Sequence, residues 1–319
     1  MDFLDFEKPI IELERRIDEL RLSASNEHAS VEIDEEIQRL EMKCKELTKK
    51  IFTDLSEWQV AQLARHPLRP KSQEIINTIV NDFQELHGDR MYSDDASIIG
   101  GLGKLGNISV MVIAQEKGTN TKEKMFRNFG MPRPEGYRKA LRLMKLAEKF
   151  SIPLITIIDT PGAFPGIGAE ERGQSEAIAR NLFTLASLKT PVINLVTGEG
   201  GSGGALAIGM GDVLIMLEYS IYSVISPEAC STILWRNPDE TESAAKAMGI
   251  SSKRLNKLGL VDSIIEEPLG GFHKNPQDTF QRIIKTLEEY LYNLQNKNID
   301  DLLYERRKRY KAIGEFNEI

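Results

Sequence analysis

The 319-residue sequence is poor in cysteine, and that shortage removes several classes of protein at once. Its two cysteines, Cys44 and Cys230, stand far apart and form no CxxC pair. Neither a disulfide framework nor a cysteine-rich zinc site is expected. Histidine is scarce as well, and His28, His66, His87 and His273 show no metal-ligand spacing. No long apolar run occurs. The most apolar stretch, residues 203–217, is broken by Asp212 and is shorter than the about 18 residues of a membrane span. Positive charge is in deficit, with 41 Lys+Arg against 48 Asp+Glu and a net charge of −7. Such a chain lacks the basic footprint that nucleic acid or an anionic membrane surface requires. The start, Met1-Asp2-Phe3-Leu4-Asp5, lacks the basic-then-apolar order of a secretory signal. Together these deficits predict a cytoplasmic protein with neither membrane nor nucleic acid as partner.

What is present is the composition of an ordinary globular protein, 41% hydrophobic and 28% charged, long enough for one large domain with an appendage. Residues 1–56 read as a helical hairpin. Ile10, Leu13, Ile17 and Leu20 recur at spacings of 3, 4 and 3. Ile33, Ile37, Leu40, Cys44, Leu47 and Ile51 continue at 4, 3, 4, 3 and 4, so each helix carries one apolar stripe. The polar stretch from Ser23 to Ser30 lets the second helix fold back on the first. Cys44 lies inside its stripe and reads as core. Two exposed helices with narrow seams point to a partner or oligomer contact. Ser56 with Gln59 resembles a capping box, His66-Pro67 ends that short helix, and Ser72 is expected to cap another running to His87-Gly88.

Residues 57–275 alternate strand and helix, the signature of an α/β domain with parallel strand pairs. Strands are predicted at Ile98–Gly103, Ile108–Ala114, Leu154–Asp159, Val192–Val196, Val213–Leu217 and Ile221–Ile225, with Gly106-Asn107 turning the first pair. Helices fit Glu135–Phe150, Glu170–Leu188, a short one from about Gly203, and Pro227–Trp235. Residues 276–319 form a C-terminal helical segment starting near Pro276 and continuing past Leu294.

The informative residues follow two consecutive strands. The first runs into Thr160-Pro161-Gly162-Ala163-Phe164-Pro165-Gly166, the second into Gly198-Glu199-Gly200-Gly201-Ser202-Gly203-Gly204-Ala205. A right-handed crossover puts both turns at the carboxyl edge of the sheet, where open α/β folds bind ligands. Glycine has no Cβ, so a ligand atom can approach its amide closely. One amide from each turn, aimed at one spot, makes an oxyanion hole, and losing one such donor costs about 2.7–4 kcal/mol of transition-state stabilisation. The alternative is that these glycines serve only tight turns and close helix–sheet packing. Five glycines within residues 198–204 favour ligand approach.

Other patterns in the chain compete with this one. Gly198-x-Gly200-x-x-Gly203 matches a dinucleotide fingerprint with Glu218 beyond it, but the following helix is too short for the usual unit of ~30 residues. Gly200-x-Ser202-x-Gly204 matches a nucleophile elbow, for which only His273 lies downstream, with Asp262 as the acid before it. Lys117, Lys122, Lys124, Arg127, Arg133, Arg138 and Lys139, interleaved with Glu116, Glu123 and Glu135, read as a solvated face, or else as a surface for phosphates or an acidic partner. Glu228 is explained by the start of a helix. No pair of carboxylates stands out for acid–base work.

At Arg127-Asn128-Phe129-Gly130-Met131-Pro132, Pro134 to Arg142, Asp159 to Ala163, Glu170 to Asn181, residues 198–205 and Tyr222 to Glu228, the chain resembles the alpha subunit of bacterial acetyl-CoA carboxylase carboxyltransferase. The likeness spans nearly the whole length, with Ala229 standing where the family is expected to carry glycine. It implies a crotonase-like fold of stacked ββα units. It also implies transfer of a carboxyl group from carboxybiotin, presented on the biotin carboxyl carrier protein, to acetyl-CoA, giving malonyl-CoA for fatty acid biosynthesis. By the same resemblance Gly204 and Ala205 would hold the ureido oxygen of biotin, with Gly203 making room and Gly162-Ala163 completing the pocket. Loss of CO₂ would leave biotin able to remove the acetyl proton itself, which suits a chain without an acid–base pair. No cofactor is expected to be bound covalently. Zinc is expected on the beta subunit, and an alpha2beta2 assembly together with biotin carboxylase is implied. Two competing readings remain: a stand-alone crotonase-type hydratase or isomerase using Glu170 or Glu199, and a non-catalytic scaffold subunit.

Overall fold

The computed structural model describes residues 3–26 and 31–314. Residues 1–2, 27–30, which include His28, and 315–319 lie outside the described residues.

The apolar runs pair into one sheet. Its strands are β1 (Asn81–Glu85), β2 (Ile98–Leu105), β3 (Ile108–Gln115), β4 (Leu154–Thr160), β5 (Val192–Gly201), β6 (Val213–Leu217), β7 (Ile221–Ser223) and β8 (Ser263–Ile265). The order is β1-β2-β3-β4-β5-β6-β8, with β7 beside the far end of β5. The pairs β1–β2 and β2–β3 are antiparallel and all later pairs are parallel. A parallel sheet buried on both faces needs apolar residues in both phases of its period-2 alternation, so its strands read as unbroken apolar runs. Ile155, Ile157, Ile193 and Leu195 face one side and pack with Phe280, Ile283, Leu287 and Leu291 of helix Pro276–Gln295. Leu154, Ile158, Val192 and Val196 face the other and pack with Leu143 and Met144 of helix Pro134–Lys149 and Leu185 of helix Gln174–Ser187.

Several boundaries differ from the sequence-based expectation. The helix from Ser72 stops at Ile79, its cap position is Lys71, and the chain then enters β1. Residues 81–85 carry no helical stripe and gain a strand partner instead. A Cβ on Gly101 would fall 2.1 Å from the Gln84 carbonyl, so β2 receives this neighbour only because it is glycine-rich there. The helix predicted over Glu170–Leu188 breaks at Gly173 (φ 81°) into Ile167–Glu171 and Gln174–Ser187. β5 runs on to Gly201, pairing with Thr160 and with β7, so half of the predicted glycine turn is strand. The last predicted helix is two, Pro276–Gln295 and Ile299–Lys311. At the other end, helices Lys8–Asn26 and Val31–Thr53 form a seam with Ile10 and Phe52 buried and Cys44 half-buried. Phe6, Phe52 and Tyr219 stack edge to face and attach the hairpin to the body. Among the described residues, no helix is long and apolar enough to cross a membrane.

The final helix is fastened by a buried arginine. Arg306 is 1% exposed. It grips Asp212 with two bonds of 2.7 Å and donates to the carbonyls of Leu185, Leu188 and Thr190. Every donor aimed inward is met, which is the condition under which burying this charge is tolerable. Removing one partner leaves the other charge uncompensated. Arg306→Ala should therefore lower unfolding stability by about 3–5 kcal/mol in urea titration. A loss under about 1 kcal/mol, the range of an exposed pair, would show that the clasp is not structural.

Candidate active site

The sheet places the ends of β4 and β5 side by side, and the segments after them meet. Thr160 Oγ accepts the Gly162 N–H at 3.0 Å and donates to the Gly130 carbonyl at 2.6 Å. Gly162 takes φ 148°, a backbone region that disfavours side chains. After Gly201 the chain turns through Ser202 (φ 52°) into the helix Ser202–Leu206. A Cβ on Gly201 would lie 2.2 Å from the Pro161 carbonyl oxygen, and one on Gly204 would lie 2.5 Å from the Ala163 nitrogen. These two glycines therefore serve the contact between the turns. Gly203 differs: a Cβ there would meet nothing nearer than two Ile178 carbons at 4.0 Å. Among the described residues, the Ala163 amide has no protein acceptor, and Gly203 and Gly204 stand in the first turn of the helix, where N–H groups have no intrahelical acceptor. Gly204 and Ala205 are buried, Ala163 and Gly203 half-buried, so a ligand would reach the inner amides past Gly203.

Beneath the turns lies an ionic cluster. Glu199 receives Arg65 Nε at 2.5 Å on one oxygen and Lys117 Nζ at 2.6 Å on the other. Lys117 also meets Asp159 at 2.7 Å, and Asp159 accepts the Glu199 amide at 3.0 Å. Arg65 reaches on to Glu228 at 2.5 Å. Burial pushes the Glu199 carboxyl up, but the charges of Lys117 and Arg65 and their hydrogen bonds outweigh it and hold the group down at about 2. Burial likewise opposes charge on Lys117, and Asp159 and Glu199 raise its titration regardless. Glu199 is thus a fixed anion rather than a proton carrier at neutral pH. Glu170, the other carboxylate considered, is exposed on helix Ile167–Glu171.

Ser202 does occupy a strained strand-to-helix elbow, but its supposed partners are elsewhere. Asp262 accepts the Leu214 amide at 2.7 Å and pairs with Arg309 at 2.7 Å. His273 stacks on His66 with ring centres 4.0 Å apart and faces Glu7 at 4.0 Å. No triad forms. Glu7, His66 and His273 bring their ligand atoms within 4.8 Å of one another, a grouping that sequence spacing did not reveal. Leu68 N–H donates to His66 Nδ1 at 3.2 Å, which puts the proton of a neutral ring on Nε2, the atom facing Glu7 at 3.7 Å. That tautomer offers Glu7 a donor and a metal no lone pair. Burial, the neighbouring His66, and then Lys274 and Arg69 hold His273 down at about 3.

The basic stretch is less solvated than its interleaved acids suggested. Lys139 is fully buried, bonded to Asp94 at 2.7 Å, and Arg138 bonds Asp89 at 2.8 Å. Arg133 lies over the Phe164 ring, 5.1 Å from its centre. Glu228 has a partner in Arg65 besides its helix start. Ala229 donates to the Ser226 cap at 3.2 Å, an interaction that alanine makes as well as glycine. Sequence reasoning missed Gln115 altogether, although it ends β3 and is fully buried with its Nε2 2.7 Å from the Gly204 carbonyl. Alignment of the strand ends would have brought Gln115, Lys117, Asp159 and Glu199 to one edge.

The same architecture recurs in solved structures. Transcarboxylase 12S matches with a TM-score of 0.56 at 21% identity, over 68% of this chain and 41% of that one. A Pseudomonas malonate decarboxylase hetero-tetramer in complex with coenzyme A matches at 0.55 and 21%, over 69% and 88%. The fold is crotonase-like. A family described as acetyl co-enzyme A carboxylase carboxyltransferase-like matches residues 3–314. Acetyl-coenzyme A carboxylase carboxyl transferase subunit alpha of Thioalkalivibrio sulfidiphilus is 58% identical over 99% of both chains, and that of Coxiella burnetii 56% over 98% of this chain and 99% of its own. The chain belongs to this acetyl-CoA carboxylase carboxyltransferase family.

Glu199→Gln should destabilise the chain by about 3–5 kcal/mol at neutral pH, since Lys117 and Arg65 lose their shared counter-charge. The folded-state titration is lowered from 4.5 to about 2, so this stability is complete above pH 4.5 and drains away as pH falls towards 2. Urea titrations of the parent and of E199Q should accordingly converge over that window. Parallel pH profiles for the two proteins would contradict the assignment.

Proposed function

We propose that this chain is the alpha subunit of a two-component acetyl-CoA carboxyltransferase. With a beta subunit it would move a carboxyl group from carboxybiotin, held on the biotin carboxyl carrier protein, to acetyl-CoA, yielding malonyl-CoA for fatty acid synthesis. The relatives' names, full-length and above half identical, support the substrates and the partner. The chemical role rests on one observation: the Ala163 amide, which has no protein acceptor among the described residues, and the first amides of the helix Ser202–Leu206 stand beside a glycine whose missing side chain leaves open space.

Carboxybiotin supplies the carboxyl group, and its ureido oxygen gains negative charge as that group leaves. On this reading the amides of Gly204 and Ala205 receive that oxygen, Gly203 admits it, and Gly162-Ala163 walls the far side. The cradle fits such a group because a Cβ at 203 would fill it. Donors fixed in place before the reaction need no reorganisation when charge appears, which is why they stabilise transition states strongly. Glu199, fixed as an anion by two cations, leaves proton transfer to the substrates. The chain's part is to hold charge, align two reactants and exclude water.

The same reading assigns residues 1–56 to contact with a partner and 57–275 to the carboxyltransferase body, with 276–319 as a C-terminal support. It sets the enzyme in the cytoplasm as an alpha2beta2 assembly, with zinc on the beta chain and biotin carboxylase recharging the carrier.

The chain mixed with the beta subunit, acetyl-CoA and carboxylated carrier should form malonyl-CoA, whereas either subunit alone should not. Gly203→Val adds bulk only to the open space, so folding and assembly should persist while transfer falls by ~100-fold or more, the scale of a lost oxyanion donor. Turnover of acyl-CoA by the chain alone would instead favour the hydratase reading. Unaltered transfer by G203V would leave the turns with a packing role only.

A further inference from the structure

A cleft of about 590 Å³ opens between helix Pro134–Lys149, the start of helix Gln174–Ser187 and the loop from β1 to β2. Six cations line it against two carboxylates, in a chain whose net charge is −7. Three of the cations are matched. Arg138 bonds Asp89 at 2.8 Å, Arg172 bonds Glu135 at 2.6 Å and Arg180 pairs with Glu176 at 2.5 Å. Among the described residues, Arg90, Arg142 and Lys145 make no ion pair.

Backbone carbonyls set the two unmatched arginines in place. Arg142 donates Nε to the Gly88 carbonyl at 3.1 Å and Nη2 to the Leu86 and His87 carbonyls at 3.3 and 3.2 Å. Arg90 Nη1 donates to the same His87 carbonyl at 2.8 Å. Arg90 takes φ 66°, a region that disfavours side chains and that glycine enters freely. The loop is held firmly, since Asp89 accepts the amides of Met91, Tyr92 and Ser93, and Asp94 accepts that of Gly88. Asp94 also bonds Lys139, so its charge is already engaged. Burial and then the charge of Arg90 lower the titration of Arg142, and Asp94 offsets only part of this. Two guanidinium groups are thus kept close together on a strained backbone with no anion of their own.

Backbone strain of this kind clusters at ligand sites. We propose that this cleft binds the phosphate groups of a nucleotide, with Arg90, Arg142 and Lys145 as their counter-charges. Guanidinium forks match pairs of phosphate oxygens, and a phosphate brings more negative charge than a carboxylate. Met91, Leu141 and Ala177 give the cleft apolar surface beside the cations. Its volume falls in the range of small-molecule sites and exceeds what a lone phosphate fills, so the ligand has an apolar body as well. Ala177 packs in one apolar cluster with Ala163 of the first glycine turn, so the cleft adjoins the active edge. Two sources share this chemistry: the charged end of the CoA substrate, or a separate nucleotide bound next to it. Choosing between the sources rests on the carboxyltransferase reading; the site itself does not.

Calorimetric titration of the full chain with inorganic pyrophosphate and with adenosine 3′,5′-bisphosphate tests the site without any turnover. Both should bind. Arg90→Gly and Lys145→Gln should each weaken them by about 10-fold or more, the scale of one charge-assisted hydrogen bond. R90G also relieves the strained backbone, so it should melt no earlier than the parent, and its loss of binding is then not a loss of fold. Lys285→Gln, exposed on helix Pro276–Gln295, controls for net charge and should change affinity by less than about twofold.

The complex with the beta subunit, assayed in reverse from malonyl-CoA to free biotin, assigns the source. If R90G raises KM for malonyl-CoA by about 10-fold and leaves malonyl-pantetheine unaffected, the ligand is the substrate's own nucleotide end. If both KM values hold while pyrophosphate binding is lost, it is a separate nucleotide. No pyrophosphate binding at millimolar concentration, or equal affinity in the parent, R90G and K145Q, overturns the site. If the complex turns over no malonyl-CoA at all, the carboxyltransferase reading fails and the calorimetric result still decides the site.

Discussion

The active edge depends on two backbones lying closer together than side chains permit. Gly201 and Gly204 press on Pro161 and Ala163 at distances where any Cβ would collide. That contact fixes where the amides of both turns stand relative to each other, which neither turn could do by itself. It also explains why the segment is glycine-rich without every glycine facing a ligand. Gly200 clears the Tyr222 ring and Gly198 clears the Asp159 carboxylate, so their reasons are structural. Gly203 alone opens outward. Of the two explanations the sequence pattern leaves open, packing accounts for Gly198, Gly200, Gly201 and Gly204, and the proposed ligand approach is left to Gly203.

Close packing of this kind needs the strand ends held in register, and charge supplies it. Lys117 comes from just beyond β3, Asp159 from β4 and Glu199 from β5, so one ammonium group binds the ends of three consecutive strands. Buried ion pairs give little net stability, because desolvation offsets their attraction. They are intolerant of displacement, however, since a partner that moves away leaves a bare charge in a poor solvent. The cluster therefore acts on geometry more than on stability. Arg306 with Asp212 serves the opposite end of the sheet in the same way, fastening the last helix to the start of β5 and β6.

How much of this could be read from residues alone depends on range. Strands β2 to β6 were legible because burial on both faces demands unbroken apolar runs. β1 was not, since its exposed residues carry no apolar signal and its place is granted by glycines in β2. The location of the two turns followed from strand order. The extent of β5 did not, because Glu199-Gly200-Gly201 becomes strand through Thr160 of β4 and through β7, which follows later in the chain. Cations proved hardest. Lys117, Arg138 and Lys139 look like a solvated stretch until their acidic partners arrive from residues remote in sequence. Hydrogen-bond partners more than forty positions apart leave no periodic trace.

The same limit explains how a chain with no acid–base pair can still carry catalytic chemistry. A peptide N–H has no identity in a sequence, because every residue except proline owns one. What sets an amide apart is that its own secondary structure leaves it without an acceptor, as in the first turn of the helix Ser202–Leu206. At Gly204 the helical ladder passes over the carbonyl, and a fully buried glutamine, Gln115, takes it. A regular helix would close that bond by itself, with no side chain needed. That Gln115 reaches across β4 to take the carbonyl ties the start of this helix to the end of β3, so the sheet places the helix as well as its own ladder does.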